Sequence, residues 1–126
     1  MDIEELIEQA QIAKSKSYSP YSKFKVGTAL LTKTGIVIPG CNIENTSFST
    51  TICAERCAIF KAVSEGHTEF EKLVMVTDAE KLTTPCGSCL QVLNEFCNED
   101  FQIILANNTT HKQYSFKDLL PLPFNL

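Results

Sequence analysis

Long apolar runs are missing from this sequence, and so is any excess of basic charge. No stretch approaches the ~20 consecutive apolar residues that a membrane span needs, so insertion into a bilayer is not expected. Eleven Lys and Arg stand against fifteen Asp and Glu, a formal net charge of −4 with no long basic run. That balance offers little to a phosphate backbone, so no nucleic-acid partner is expected. The opening residues Met1-Asp2-Ile3-Glu4-Glu5 lack the basic start and apolar core of a secretory signal, which predicts a cytoplasmic protein with reduced thiols. Histidine is scarce: His67 follows Gly66 in a loop and His111 sits in a turn, and both read as solvated side chains rather than metal ligands. What is present in quantity is ordinary. With 126 residues, 44% hydrophobic and 21% charged, the chain has enough apolar material for one domain, 1–126, around a buried core.

The hydrophobic pattern predicts the elements in order. Ile3, Leu6, Ile7, Ala10 and Ala13 recur at helical spacing over 2–14, with Asp2 and Glu5 placed as a capping box. Residues 24–32 and 36–43 read as strands joined by the Lys33-Thr34-Gly35 turn, with Pro39 and Gly40 marking a bulge or a sheet edge. A helix is expected over 52–64, capped by Thr50 or Thr51, and its stripe of Ala54, Ala58 and Ala62 would let it lie close to a neighbour. A buried strand at 73–77 follows. Next comes a helix opened by Thr84-Pro85 and running to Phe96, burying Val92, Leu93 and Phe96, then a strand at 101–106. An Asn107-Asn108 turn, a short strand at 112–115 and a helical turn capped by Ser115 and ending at Leu120 close the chain. Strand–helix–strand over 73–106 is a right-handed crossover unit. The fold class expected is α/β: a three-layer α-β-α arrangement around a mixed, about five-stranded sheet.

Six cysteines stand at 41, 53, 57, 86, 89 and 97. Cys86 and Cys89 lie three apart at a predicted helix start, and Cys53 lies at another, so two helix N-termini facing each other would gather three sulfurs. Three thiolates suit zinc and leave a fourth coordination place for water, the arrangement of a catalytic site. Zinc with three thiolates sums to −1. The two helix ends, each roughly +0.5 of a charge, offset part of this excess, and Arg56 can donate to the sulfurs. Glu55, two residues after Cys53, is placed to handle the proton of a metal-activated water without being a ligand. Two rival readings use the same cysteines: a Cys86–Cys89 redox pair, which leaves Cys53 and Glu55 idle, and a closed four-sulfur structural site that recruits Cys57. Cys41, Cys57 and Cys97 otherwise read as small core residues.

Cys53-Ala-Glu-Arg followed by Pro85-Cys-Gly-Ser-Cys is the three-cysteine form of the zinc deaminase signature. Together with Tyr18-Ser-Pro-Tyr-Ser-Lys-Phe-Lys-Val-Gly27 and Gly40-Cys-Asn-Ile-Glu-Asn45, it makes the chain resemble the small homotetrameric cytidine deaminases over nearly its whole length. The resemblance implies one zinc ion per subunit on Cys53, Cys86 and Cys89. It implies hydrolysis of cytidine and 2′-deoxycytidine to the uridine forms plus ammonia, in pyrimidine salvage, with Glu55 as proton shuttle. It further implies that Phe24 packs beside the pyrimidine and that Asn42 and Glu44 hold the sugar hydroxyls. The main chain at Ala54 and Cys86, with the Glu55 carboxylate, would read the base edge. Phe124 would reach a neighbouring subunit's site, and residues near Phe48 would come from another. The same scaffold also serves other aminopyrimidine nucleosides, including an antibiotic nucleoside. Asn42 and Glu44 argue for an unmodified ribose, because a carboxylate repels a phosphate. Three positions depart from the family: Cys57 where threonine is usual, Leu90 where arginine is usual, and Phe48 where tyrosine is common. The Leu90 change makes Arg56 the one expected cation near the sulfurs.

Overall fold

A computed structural model describes residues 1–126. Its elements are α1 (Ile3–Lys14), β1 (Val26–Thr32), β2 (Val37–Cys41), a 3-10 turn (Phe48–Thr50), α2 (Ala54–Ser64), β3 (Phe70–Thr77), α3 (Gly87–Phe96), β4 (Gln102–Ala106), β5 (His111–Ser115) and α4 (Phe116–Leu119). The strands form one mixed sheet in the order β2-β1-β3-β4-β5. β1 runs antiparallel to β2 and to β3, β4 antiparallel to β5, and only β3 and β4 are parallel. The parallel pair is the one joined through α3, as a helical crossover requires.

Helices cover both faces of this sheet, which gives the expected three layers. On one face, Leu6 and Ala10 of α1 pack on Ala29, Leu31, Val74, Val76, Ile104 and Ala106. On the other, Ala54, Ala58, Ile59 and Ala62 of α2 and Leu90 and Leu93 of α3 meet Leu30, Leu73, Met75, Ile103 and Leu105. All seven residues of β1 are therefore buried, so that strand has no polar face. Val92 and Phe96 of α3 are only half-buried, against the expectation, and pack at the margin of the second core. The expected small-residue stripe of α2 is fully buried, and its partner is Gly40 on edge strand β2. A Cβ added at Gly40 would lie 2.5 Å from the Ala54 carbonyl oxygen and 2.8 Å from the Ala58 nitrogen, so α2 rests directly on strand backbone.

Helix starts differ from the sequence expectation. Neither threonine caps α2. Thr50 Oγ1 donates to the Ser47 carbonyl, and Thr51 Oγ1 accepts the Asn45 N–H, because both are spent closing the 3-10 turn. Ile52 is extended and exchanges two 3.0 Å backbone hydrogen bonds with Ile43. Cys53 is thus the N-cap of α2. Likewise Cys86, not Thr84, is the N-cap of α3, and Pro85 stands outside the helix. β3 begins at Phe70 rather than Leu73, because Phe70 pairs with Thr32 beyond an irregularity in the register. β1 begins at Val26, which leaves Phe24 outside the strand. Asp2 caps α1 by accepting the Glu5 N–H at 2.9 Å, and Ser115 forms a full capping box with Asp118.

Candidate active site

The site lies where α2 and α3 begin. Each of these helices starts at a cysteine because an N-cap residue has extended backbone and turns its side chain back over the first turn. Neither Cys53 nor Cys86 spends its sulfur on a capping hydrogen bond. Cys89, one turn into α3, is buried beneath them. The Sγ atoms of Cys53, Cys86 and Cys89 lie within 4.8 Å of one another, with Cys53–Cys86 at 3.8 Å and Cys86–Cys89 at 3.2 Å. Zinc–sulfur bonds of ~2.3 Å in tetrahedral geometry set two thiolates ~3.8 Å apart, so the cluster is already near the dimensions a zinc ion needs. Three sulfurs of one soft donor type fit that ion. Cys57 lies outside the cluster, as do Cys41 and Cys97.

Charge around the sulfurs follows the sequence expectation in part. Arg56 donates from Nη2 to Cys53 Sγ at 3.4 Å, while its buried Nε has no partner. The adjoining Cys89 thiol, together with Arg56, holds the Cys53 thiol well below its usual range. Cys89 is shifted the opposite way, by its proximity to Cys53 and by burial. Leu90 packs into the core between α3 and the sheet and is turned away from this charge balance.

Glu55 is the other half of the floor. It is only 3% exposed, in the first turn of α2. Burial pushes its carboxyl above the ordinary range, because an ionised carboxylate loses hydration there, and the neighbouring Cys53 adds to the effect. A cavity of about 300 Å³ opens over this floor, lined by Phe24, Asn42, Glu44, Cys53, Ala54, Glu55 and Cys86. These are seven of the residues expected at the site, brought to one concavity from two loops and two helix ends.

The rim of the cavity is held by polar side chains. Buried Asn42 accepts the Val26 N–H at 2.9 Å and donates through Nδ2 to the Phe24 carbonyl at 2.8 Å, which fixes the loop that carries Phe24. Its Oδ1 also accepts from Ser17, leaving one Nδ2 hydrogen for a ligand. Glu44 Oε1 accepts the N–H groups of Tyr21 and Ser22, each at 3.0 Å, and Oε2 accepts the Ser22 hydroxyl. The Ser22 hydroxyl and these N–H groups hold the Glu44 carboxyl below its ordinary range.

Phe48 and Phe124 do not enter this cavity. Phe48 is 76% exposed, stacks edge-on against Tyr21 with ring centroids 6.3 Å apart, and lines an adjoining cleft with Ser22, Glu44 and Thr51. Phe124 is 69% exposed, and its carbonyl accepts from Gln91 Nε2 at 3.0 Å, so the tail runs along α3. Sequence reasoning gave no place at the cavity to the rest of its wall: Ser22, Val26, Thr51, Ile52, Met75, Thr83 and Thr84. Val26 and Met75 carry only a core signal. Thr83 and Thr84 had a usable clue in their place just before Pro85-Cys86, but Thr84 read there as a helix cap and Thr83 carried no reading of its own.

Comparison with known proteins agrees with this geometry. Residues 1–105 match the model of the cytidine and deoxycytidylate deaminase zinc-binding region. The chain is 50% identical over 107 residues to a cytidine deaminase of Sporosarcina psychrophila, covering 85% of this chain and 79% of that one. It is 44% identical over 125 residues to a cytidine deaminase of Halalkalibacterium halodurans, covering 98% and 95%. A crystal structure of cytidine deaminase from Burkholderia pseudomallei superposes with a TM-score of 0.95 at 41% identity, over 98% of this chain and 100% of that one. With its signature cysteines gathered at two helix starts beneath a cavity, this chain belongs to the cytidine and deoxycytidylate deaminase zinc-binding family.

Proposed function

We propose that this protein hydrolyses cytidine and 2′-deoxycytidine to uridine and 2′-deoxyuridine with release of ammonia, using one zinc ion per subunit held by Cys53, Cys86 and Cys89. One observation carries the reading: a buried carboxyl, Glu55, shares the floor of a nucleoside-sized cavity with an open cluster of three cysteine sulfurs. A redox pair has no use for that carboxyl. A closed four-sulfur site would need a fourth cysteine in the cluster, and Cys57 lies outside it.

When bound, zinc supplies Lewis acidity that brings a water's pKa close to neutrality. The remaining work falls to the chain. Glu55 accepts the proton of the water that attacks C4 of the pyrimidine, and returns a proton to N3. It then takes the proton of the new C4 hydroxyl and passes it to the amino group, so that the C4 carbonyl forms as the C4–nitrogen bond breaks and ammonia leaves. Its raised pKa suits a group that must both take and give a proton. Phe24 packs on the face of the base, and the main chain at Ala54 and Cys86 reads its edge. The last Nδ2 hydrogen of Asn42 and the free lone pairs of Glu44 hold the sugar hydroxyls. The charge on Glu44 repels a 5′-phosphate and so disfavours nucleotides and polynucleotides. Arg56 and the N-termini of α2 and α3 offset the negative charge of the thiolates.

The working unit is a homotetramer, in which Phe124 completes a neighbouring subunit's cavity and the segment around Phe48 serves another. Its support is the exposure of both phenylalanines on a small domain whose cavity is open. No helix is long and apolar enough to cross a membrane, and all six cysteines are free thiols, which supports a cytoplasmic setting. The test is the fall in cytidine absorbance with purified protein, before and after a zinc chelator. Turnover that is lost with chelation and restored by zinc is expected. Absence of turnover with one zinc bound per subunit would overturn the reading, and sedimentation showing an active monomer would overturn the tetramer.

A further inference from the structure

The connection from β3 to α3 forms one wall of the cavity: Thr83 and Thr84 line it and Cys86 ends it. Residues 78–85 make no backbone–backbone hydrogen bond. An irregular segment of that kind stays in place only through other ties, and here they come from side chains. Asp78 accepts from Lys14 and, at 3.4 Å, from Asn108. The Ala79 N–H donates to Thr77 Oγ1 at 3.2 Å, and that hydroxyl lies 3.4 Å from the hydroxyl of Thr83. The centre of the arrangement is Asn107, on the β4–β5 turn and only 7% exposed. Its Nδ2 donates to two carbonyls of the wall, Ala79 at 3.2 Å and Glu80 at 2.8 Å. Its Oδ1 accepts the N–H groups of Thr109 at 3.0 Å and Thr110 at 2.9 Å, and the Thr109 hydroxyl at 3.2 Å. One amide thus fastens two segments that share no backbone ladder at that point.

We infer that Asn107 is a positioning residue for the deamination proposed above, on which this assignment rests: it holds the 78–84 wall of the cavity in the shape that receives the nucleoside, without touching substrate. Cys86 does not depend on this tie in the same degree. It caps α3, its carbonyl accepts the Leu90 N–H at 3.0 Å, and Pro85 beside it is buried. Loss of the clamp therefore loosens the binding wall and spares the metal floor.

Asn107→Asp separates the two halves of the amide. The aspartate keeps an acceptor for Thr109 and Thr110, and so keeps the turn, but it presents no donor to the Ala79 and Glu80 carbonyls. Binding must then order the wall. We expect KM for cytidine to rise about tenfold while kcat stays within about twofold of the parent and zinc remains at one ion per subunit. A second readout needs no activity. Lys81 lies exposed in this segment and Lys33 in the β1–β2 turn, so limited tryptic cleavage after Lys81 should accelerate while cleavage after Lys33 does not. Thr77→Val, which deletes the tie to Ala79 at nearly constant volume, should show the same split more weakly, and carries the test if the aspartate variant does not fold. Parental KM, parental cleavage after Lys81, or cleavage that rises equally at both lysines overturns the assignment. A zinc-loaded parent that does not turn over cytidine overturns the proposed function and this assignment together.

Discussion

The floor and the rim of the cavity are built in different ways. The floor, Cys53, Glu55, Cys86 and Cys89, stands on the first turns of two helices whose buried faces are part of the larger core. The rim, Phe24, Asn42 and Glu44, stands on loops whose shape is set by hydrogen bonds from Asn42 and Glu44 themselves. Packing distributes its stabilisation over many contacts, whereas a polar tie concentrates it in one group that is costly to remove. Changes on the floor should therefore act on the metal and the chemical step, and changes on the rim on substrate binding.

The largest break should come from the sulfurs. Cys86→Ala is expected to abolish both zinc retention and turnover, and Cys57→Ala to leave zinc content at the parental level. Metal analysis of the two purified variants checks this, and zinc loss from Cys57→Ala would return the closed four-sulfur site to consideration. Glu55→Gln comes next. A general acid–base group contributes ~10²–10⁴-fold, so kcat should fall by at least that much while zinc stays bound. Near-parental turnover would remove Glu55 from the chemistry.

Arg56→Gln removes the one cation on the sulfurs. A lost hydrogen bond to a charged group costs about 1.5–3 kcal/mol, and kcat should fall about ten- to a hundredfold where that loss is felt in the transition state. Parental kcat would mean that the helix ends suffice. On the rim, Glu44→Gln should raise KM about tenfold with kcat nearly unchanged. A kcat loss as large as that of Arg56→Gln would erase the distinction between floor and rim. The smallest effect concerns Asp78, whose carboxyl is held below its ordinary range first by its hydrogen bond from Lys14. A depressed folded pKa adds stability above the unfolded value and loses it as pH falls through the folded one. Asp78 is 57% exposed, so the contribution is screened to about 0.2–1 kcal/mol. Asp78→Asn should flatten the acid side of the stability curve by that amount, as read by urea denaturation at pH 3 to 7 at roughly 0.15 M salt.

The floor was legible in the sequence because its signal is local. Cys53-Ala-Glu-Arg and Pro85-Cys-Gly-Ser-Cys carry spacing and chemistry within a few residues, and the alternation and helical period around them follow from burial on one face or two. The helix starts were misread because a capping preference is worth only ~1 kcal/mol and tertiary pairing overrode it: Ile52 is drawn into a bridge with Ile43, and Thr50 and Thr51 close the 3-10 turn. The far wall was illegible for a different reason. Thr83 lines the cavity on a segment that Asn107, more than twenty positions later in the chain, ties at Ala79 and Glu80, and no short window of sequence contains both partners.

The glycine at position 40 fixes a reference height for the whole site. Since α2 rests on bare strand backbone there, and Thr28 Oγ1 hydrogen-bonds to the Ala54 carbonyl at 3.0 Å, the first turn of that helix has no room to sink. Thr28 also resists its rising. Cys53 and Glu55 thus form the fixed jaw of a vice. Any adjustment falls to the opposite jaw: the start of α3 with Cys86 and Cys89 for an ion of different radius, and the 78–84 wall for a bulkier base.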